Sequence, residues 1–217
     1  VTINAVADDL DDGDKEDTVQ VTPSSSNSDT NYAGLNYQPV WFKNIDDDTS
    51  GFTITESGGS TSVNENLTED TFTVKLTAKP TNDVVFSVTS NDTSEATVSP
   101  ASLTFTALNW DTAQTVTLTG VQDVIDDDNQ TSTITVSINQ SSTLDDNYDS
   151  VVSQNVNFTT IDDESAPLVT LAASSDSIAE NGSGSVTLTA TMTVASSSDT
   201  TITLSPSGTA TQGTDYS

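Results

Sequence analysis

Apolar residues recur at every second position through much of the chain's middle. Phe72, Val74 and Leu76 alternate with polar residues in DTFTVKLTA, and Val84, Phe86 and Val88 do so in DVVFSVT. The same spacing holds for Leu103 and Phe105, Val116 and Leu118, Ile134, Val136 and Ile138, and Val156 and Phe158. Thr fills many of the positions between, as suits a solvated strand face. A period of two predicts strands with one buried side, and no segment carries a helical stripe. About seven short strands in about 115 residues, separated by polar turns, predict an all-β fold of antiparallel β-sandwich modules. Val186, Leu188 and Ala190, then Ile202 and Leu204, repeat the alternation near the C-terminal end and predict further strands there.

The chain repeats itself. NFTTIDDE (157–164) echoes WFKNIDDD (41–48), so Asp46 and Asp162 lie 116 residues apart, as do Asn31-Tyr32 and Asn147-Tyr148. VTINAVADDLDDGD (1–14) overlies VTLTGVQDVIDDDN (116–129), and SVNEN (62–66) overlies SIAEN (177–181), both at an offset of 115. Agreement to one residue across four matches predicts tandem modules. Residues 1–48 read as the C-terminal half of one module, 49–164 as a complete module, and 165–217 as the N-terminal half of a third. The first residue is Val1, and VTINAVADDL lacks the basic start of a signal peptide, so the chain reads as an internal piece of a longer protein.

Composition narrows the chemistry. Asp and Glu number 33 against 4 basic residues, all Lys, for a net charge of −29; there is no His and no Cys. Without those side chains a Ser-His-Asp or Cys-His nucleophile and an ordinary zinc site are excluded, and an enzyme is not expected. Without Arg, and at this charge, nucleic acid is not an expected partner. No apolar run approaches a membrane span. Small multivalent cations are attracted instead.

The carboxylates are clustered. In the complete module they gather at Glu65, just before a strand; at Asp123, Asp126, Asp127 and Asp128, in a loop between strands; and at Asp162, Asp163 and Glu164, at the exit. Strands that run back and forth can bring all three to one end. Two like charges about 4 Å apart repel by roughly 4 kcal/mol at an effective dielectric near 20, and four lysines cannot offset such clusters. A hard cation with six to eight oxygen ligands can, and an all-oxygen donor set favours Ca²⁺ over transition metals and over Mg²⁺. Isolated acids such as Asp92, Asp145 and Asp149 read as surface residues.

SIAENGSGSVTLTAT with the later GTDYS (213–217) resembles the opening half of a Calx-β domain, and VTLTGVQDVIDDDNQTSTITVSI with VNFTTIDDE resembles its closing half. The resemblance implies seven-stranded sandwiches of the kind found in sodium–calcium exchangers, integrin β4 and long bacterial surface proteins, with Ca²⁺ at one end beside the hinge to the next domain. It implies Glu65, Asp123, Asp126, Asp127, Asp128, Asp162 and Asp163 as ligands in the complete module. Asp8, Asp11, Asp12, Asp46, Asp47 and Asp48 take these parts in the first copy, and Glu180 and Asp215 in the third. Where that family has Asp-Tyr, the complete module has TSNDTSEATVSP (89–100), with Asp92 as a loose substitute.

The expected function is a calcium-stiffened extender of an extracellular or cell-surface protein, partnered by neighbouring repeats of its own chain or by identical chains. One alternative is a filament subunit whose copies donate strands to one another. Another is an adhesive module for a cell-surface glycan or protein, with Trp41, Trp110, Tyr32, Tyr37 and Tyr148 as stacking candidates. Trp110, which directly precedes a strand, reads more simply as packing on a sandwich edge.

Overall fold

The structure is a computed structural model that describes residues 2–23, 29, 31–32, 39–180, 184–196 and 198–215. Among the described residues, fifteen strands follow in chain order: β1 (Lys15–Gln20), β2 (Pro39–Asn44), β3 (Phe52–Glu56), β4 (Thr61–Asn64), β5 (Glu69–Leu76), β6 (Val84–Ser90), β7 (Ala96–Ser99), β8 (Ser102–Phe105), β9 (Gln114–Gly120), β10 (Ile125–Asp126), β11 (Gln130–Ile138), β12 (Gln154–Ile161), β13 (Val169–Ala173), β14 (Leu188–Met192) and β15 (Ala195–Ser196). No helix among the described residues is long and apolar enough to cross a membrane.

Residues 52–161 form a β-sandwich. One sheet has the order β4-β12-β11-β6-β8, the other β3-β5-β9-β7. Most pairings are antiparallel; β4 lies parallel to β12. The alternating apolar residues face inward from both sheets. Phe72, Val74, Val84, Phe86, Phe105, Val116, Leu118, Ile134 and Val136 are fully buried, and Val156 and Phe158 nearly so. Burying each such side chain contributes about 1.5–3 kcal/mol. Phe86 is the hub of the aromatic packing, edge-on to Phe52 at 4.9 Å and to Phe105 at 5.7 Å. Trp110 packs against the rim of this core.

The sandwich has nine strands, not seven. Six of the nine carry the alternation read in the sequence; the other three are short edge strands with few apolar residues: β3 carries Phe52 and Ile54, β4 carries Val63, and β7 carries Ala96 and Val98. One or two apolar residues give too brief an alternation to stand out from loop sequence, and these strands are specified by the partners beside them.

Outside the sandwich, β1 pairs with β2 and β13 with β14, each as an antiparallel pair. Their registers echo the sandwich. Lys15 faces Asn44 as Gln130 faces Thr160, and Val169 faces Met192 as Phe52 faces Leu76. The strand expected around Ile202 and Leu204 is absent, and both residues are exposed. Alternation gives a strand only where a partner strand pairs with it, as β13 does with β14, and among the described residues none pairs with this stretch.

Candidate metal centre

One end of the sandwich concentrates carboxylates, and strand geometry explains why. In β4, Thr61 and Val63 point inward; two residues further on, the same period puts Glu65 inward, 2% exposed, at the mouth of the core. Ile161 faces Asn64 in the parallel β12, and the Glu65 N–H donates to the Ile161 carbonyl (3.2 Å), so Glu65 lies beside the exit residues Asp162, Asp163 and Glu164. The β9–β11 loop, residues 121–129, closes over the same end. Gly120, the last residue of β9, makes the close approach possible: a Cβ there would meet the Asn64 carbonyl oxygen at 2.0 Å.

The arrangement brings two overlapping sets within reach of one ion. Glu65, Asp163 and Glu164 each offer an oxygen within 4.8 Å of the others, and so do Glu65, Asp127 and Asp162. Glu65 Oε2 and Glu164 Oε2 are buried without a hydrogen-bond partner, although the two carboxyl groups lie within hydrogen-bonding reach of each other. Carboxylates only accept, so a proton or a cation must sit between them. Burial first, then the facing Glu164 and the charges of Asp123 and Asp162, push Glu65 up to about 8. Glu164 is also raised, first by burial. Asp126 is raised by burial and by the neighbouring Asp162, Asp128 and Asp127.

The remaining carboxylates serve partly as scaffolding. Asp123 Oδ1 accepts the Ile125 N–H (2.7 Å) and folds the loop back. Asp128 takes φ +63°, a left-handed turn that Asp tolerates better than most residues. Asp162 accepts the Glu164 N–H (3.3 Å), and Gln122 Nε2 donates to Asp163 and Glu164 (3.2 and 3.1 Å).

One acidic residue here escaped the sequence reading. Glu95, just before β7, is 7% exposed, and its Oε2 has no partner. Its carbonyl accepts the Val121 N–H (2.8 Å), which fixes it beside the acidic loop. Burial and the charges of Asp127, Asp92 and Asp123 raise it. Asp92 is by contrast satisfied: Ser94 donates through its hydroxyl (2.5 Å) and its N–H (3.0 Å), and these bonds lower it. The available signal is Glu95-Ala96, an acid directly preceding a strand residue, much as Glu65 directly follows the end of β4.

The first copy repeats four features of this loop geometry. Asp8 accepts from the Leu10 N–H (2.9 Å) as Asp123 does from Ile125. Gly13 is left-handed (φ +73°) as Asp128 is. Asp46 donates its N–H to Asp14 (2.9 Å) as Asp162 does to Asn129 (3.1 Å), and Asp48 donates to Asp46 (3.0 Å) as Glu164 does to Asp162. Asp8, Asp12, Asp46, Asp47 and Asp48 line an open cavity of about 380 Å³. Burial and the charges of Asp47, Asp46, Asp9 and Asp8 raise Asp48. The N–H groups of Asp48 and Gly13 donate to the Asp46 carboxylate and lower it. Asp11 does not line this cavity; its carboxylate accepts the Ser50 N–H (2.7 Å). In the third stretch Glu180 and Asp215 are exposed, and Asp215 accepts the Thr211 N–H (2.7 Å).

The stacking candidates divide. Tyr148 is buried and donates its hydroxyl to the Ala78 carbonyl (2.5 Å), so it is not available to a sugar. Trp41 and Tyr32 are exposed. Tyr37, and Tyr216 of the GTDY motif, lie outside the described residues.

No known protein family matches the chain, and no curated protein matches it. Among solved structures it is similar to domains 4 and 5 of the S-layer protein SbsC, with 21% identity and a TM-score of 0.33 over 60% of this chain and 61% of that one. It is also similar to SSP-19, an MSP-domain protein of Caenorhabditis elegans (9%, TM-score 0.36, 49% and 98%), and to the E. coli chaperone DraB (11%, TM-score 0.37, 52% and 57%). These are likenesses of general shape, and they carry no argument about what this chain does.

Proposed function

We propose that this chain is a calcium-stiffened spacer from an extracellular surface protein, built of tandem Calx-β-like modules at 1–48, 49–164 and 165–217, and without catalytic activity. The observation that carries this reading is Glu65: a carboxylate buried at the mouth of the core, with Oε2 unpartnered and four further acids within an ion's reach. An unpaired buried charge is too costly to persist without a compensating partner. The donor set is all oxygen and carries more charge than Mg²⁺ usually accepts, which fits Ca²⁺. Glu65, Asp127, Asp162, Asp163 and Glu164 would hold the ion in the complete module, with Glu95 beside Asp123 and Asp127 as a further donor. Asp8, Asp12, Asp46, Asp47 and Asp48 would hold one in the first copy. The bound ion supplies positive charge that lets these loops close.

The repeated registers and loop contacts support the modular division, and the position of both acidic ends between modules supports a stiffening role. At free Ca²⁺ of 100 times Kd, each independent site adds about 2.7 kcal/mol. The test is thermal melting and small-angle scattering with Ca²⁺ and with EDTA. Chelation lowers Tm and broadens the distribution of inter-module angles; if neither changes, the reading is wrong.

A second reading, strand exchange between copies, is favoured by the exposed apolar residues of β13 and β14, among them Leu171 and Leu188. It requires concentration-dependent association in solution.

A further inference from the structure

The acidic loop of the complete module does more than present carboxylates. Within it, β10 pairs in parallel with β15, Ile125 facing Ala195 and Asp126 facing Ser196. The first copy's loop touches the sandwich in the same way: the Lys79 N–H donates to the Asp9 carbonyl (2.7 Å). That bond is half of the pattern a parallel bridge between Leu10 and Lys79 requires. Leu10 is the counterpart of Ile125 at the 115-residue offset. Lys79 stands three residues after Leu76 as Ala195 stands three after Met192, and Leu76 and Met192 occupy equivalent ladder positions. Equivalent segments are therefore in backbone contact at both junctions, as a two-residue ladder at one and a single bond at the other, although their residues differ. At the first junction Asn147 Nδ2 also donates to the Asp11 carbonyl (2.5 Å) and the Ser50 N–H to the Asp11 carboxylate (2.7 Å).

We propose that each acidic loop is a backbone latch: it adds as a short parallel strand to the segment that follows the strand paired with the first strand of the next repeat (β5 or β14), and the ion held by the same loop decides whether the latch is closed. The partner surface is thus the Lys79 segment, or its counterpart at Ala195–Ser196, and its occupant is the loop of the preceding repeat. The inference rests on the calcium reading above. Main-chain pairing explains why the docked residues differ between junctions while the loop geometry does not, since a ladder reads backbone and not side chains. The loop can hold the extended shape that pairing needs only when its carboxylates are neutralised, because like charges at this spacing otherwise drive it open.

Amide hydrogen exchange on the full chain tests this, read at Lys79 and over Ala195–Ser196, with Val74 and Val116 as core references. With saturating Ca²⁺ both junction segments are protected; after EDTA both exchange at least tenfold faster while the core amides hold. In E65Q the Ala195–Ser196 segment loses protection but Lys79, at the other junction, keeps it. If calorimetry shows ion binding while junction exchange is the same with Ca²⁺ and with EDTA, the latch is overturned and the metal site stands. If calorimetry shows no ion binding at all, the calcium reading falls, and the latch with it.

Discussion

Glu65 and Glu164 bring their carboxyl groups together at the mouth of the sandwich, each with an Oε2 that is buried and has no hydrogen-bond partner. Glu65 comes from the end of the inward row of β4 and Glu164 from the exit of β12, so their meeting follows from the parallel pairing of those strands. Replacing Glu65 with Gln removes a ligand charge and also the repulsion. Calcium affinity by titration calorimetry falls at least tenfold, about 1.4 kcal/mol or more. In EDTA above about pH 8, where Glu65 has lost its proton, the variant melts at a higher temperature than the wild type, because an amide can still donate to Glu164. A lower Tm in EDTA would show that the pair is already satisfied without an ion.

Proton linkage at the same residue gives a pH signature. With Glu65 at about 8 in the ion-free fold and at an ordinary 4.5 when unfolded, the folded chain holds the extra proton between those limits. Ion-free stability therefore decreases as pH rises from about 4.5 to 8. Ca²⁺ must displace that proton, so affinity increases over the same range and levels off above it. Calorimetry at about pH 7 in buffers of different ionisation enthalpy detects the released proton. Affinity that stays flat across the upper part of that range would remove Glu65 from the ligand set.

Gly120 tests whether the approach of two strands, and not only their acids, builds the site. A methyl group there meets backbone, the Asn64 carbonyl next to Glu65, and backbone cannot swing aside as a side chain can. Gly120→Ala costs about 1–3 kcal/mol of stability, as overpacking does. It also weakens Ca²⁺ binding at the complete module while the first copy's site, built from residues 8–48, keeps its affinity. Loss of stability with both affinities intact would mean that β4 yields without moving Glu65.

Tyr148 anchors the turn next to the first junction through its bond to the Ala78 carbonyl, and burial pushes its hydroxyl up to about 12. Tyr148→Phe leaves the ring in the core and strands the carbonyl, costing about 0.5–1.5 kcal/mol in denaturant unfolding. Calcium binding to the complete module, at the opposite run of loops, is unchanged. The neighbouring Asp145, which accepts from Thr81 N–H (2.5 Å) and Thr81 Oγ1 (2.9 Å), sets this turn and is buried. In sequence it reads as an ordinary surface acid, because nothing in LDDNY marks a carboxylate that will be enclosed by a loop 64 residues away.

The same limit explains what is legible elsewhere in the sequence. Phe72, Phe86 and Val136 are readable because burial on a strand repeats every second residue, and that periodicity is local. Asp127 and Asp162 are readable as members of two clusters because the acidic runs are dense and repeated. Glu95 is not, since it is a single acid whose place is set by one backbone bond, from Val121, across the sheet. Ile202 and Leu204 err the other way: they have the local pattern but, among the described residues, no partner strand to act on it.

Glu95 and Asp92 therefore make a direct comparison. Asp92 commits its carboxylate to its own turn, through Ser94, whereas Glu95 leaves Oε2 buried and free beside Asp123 and Asp127. A ligand charge matters to a hard cation only where it is not already neutralised by donors. Glu95→Gln lowers calcium affinity at the complete module about tenfold, ~1.4 kcal/mol. Asp92→Asn instead changes affinity by less than about threefold and costs roughly 0.5–1.5 kcal/mol of stability from the weakened turn. Titration calorimetry and urea unfolding on the two variants separate the outcomes. If Asp92→Asn costs the affinity and Glu95→Gln does not, the ion sits on the outer side of the loop, and Glu95 is a buried acid kept neutral by its own proton.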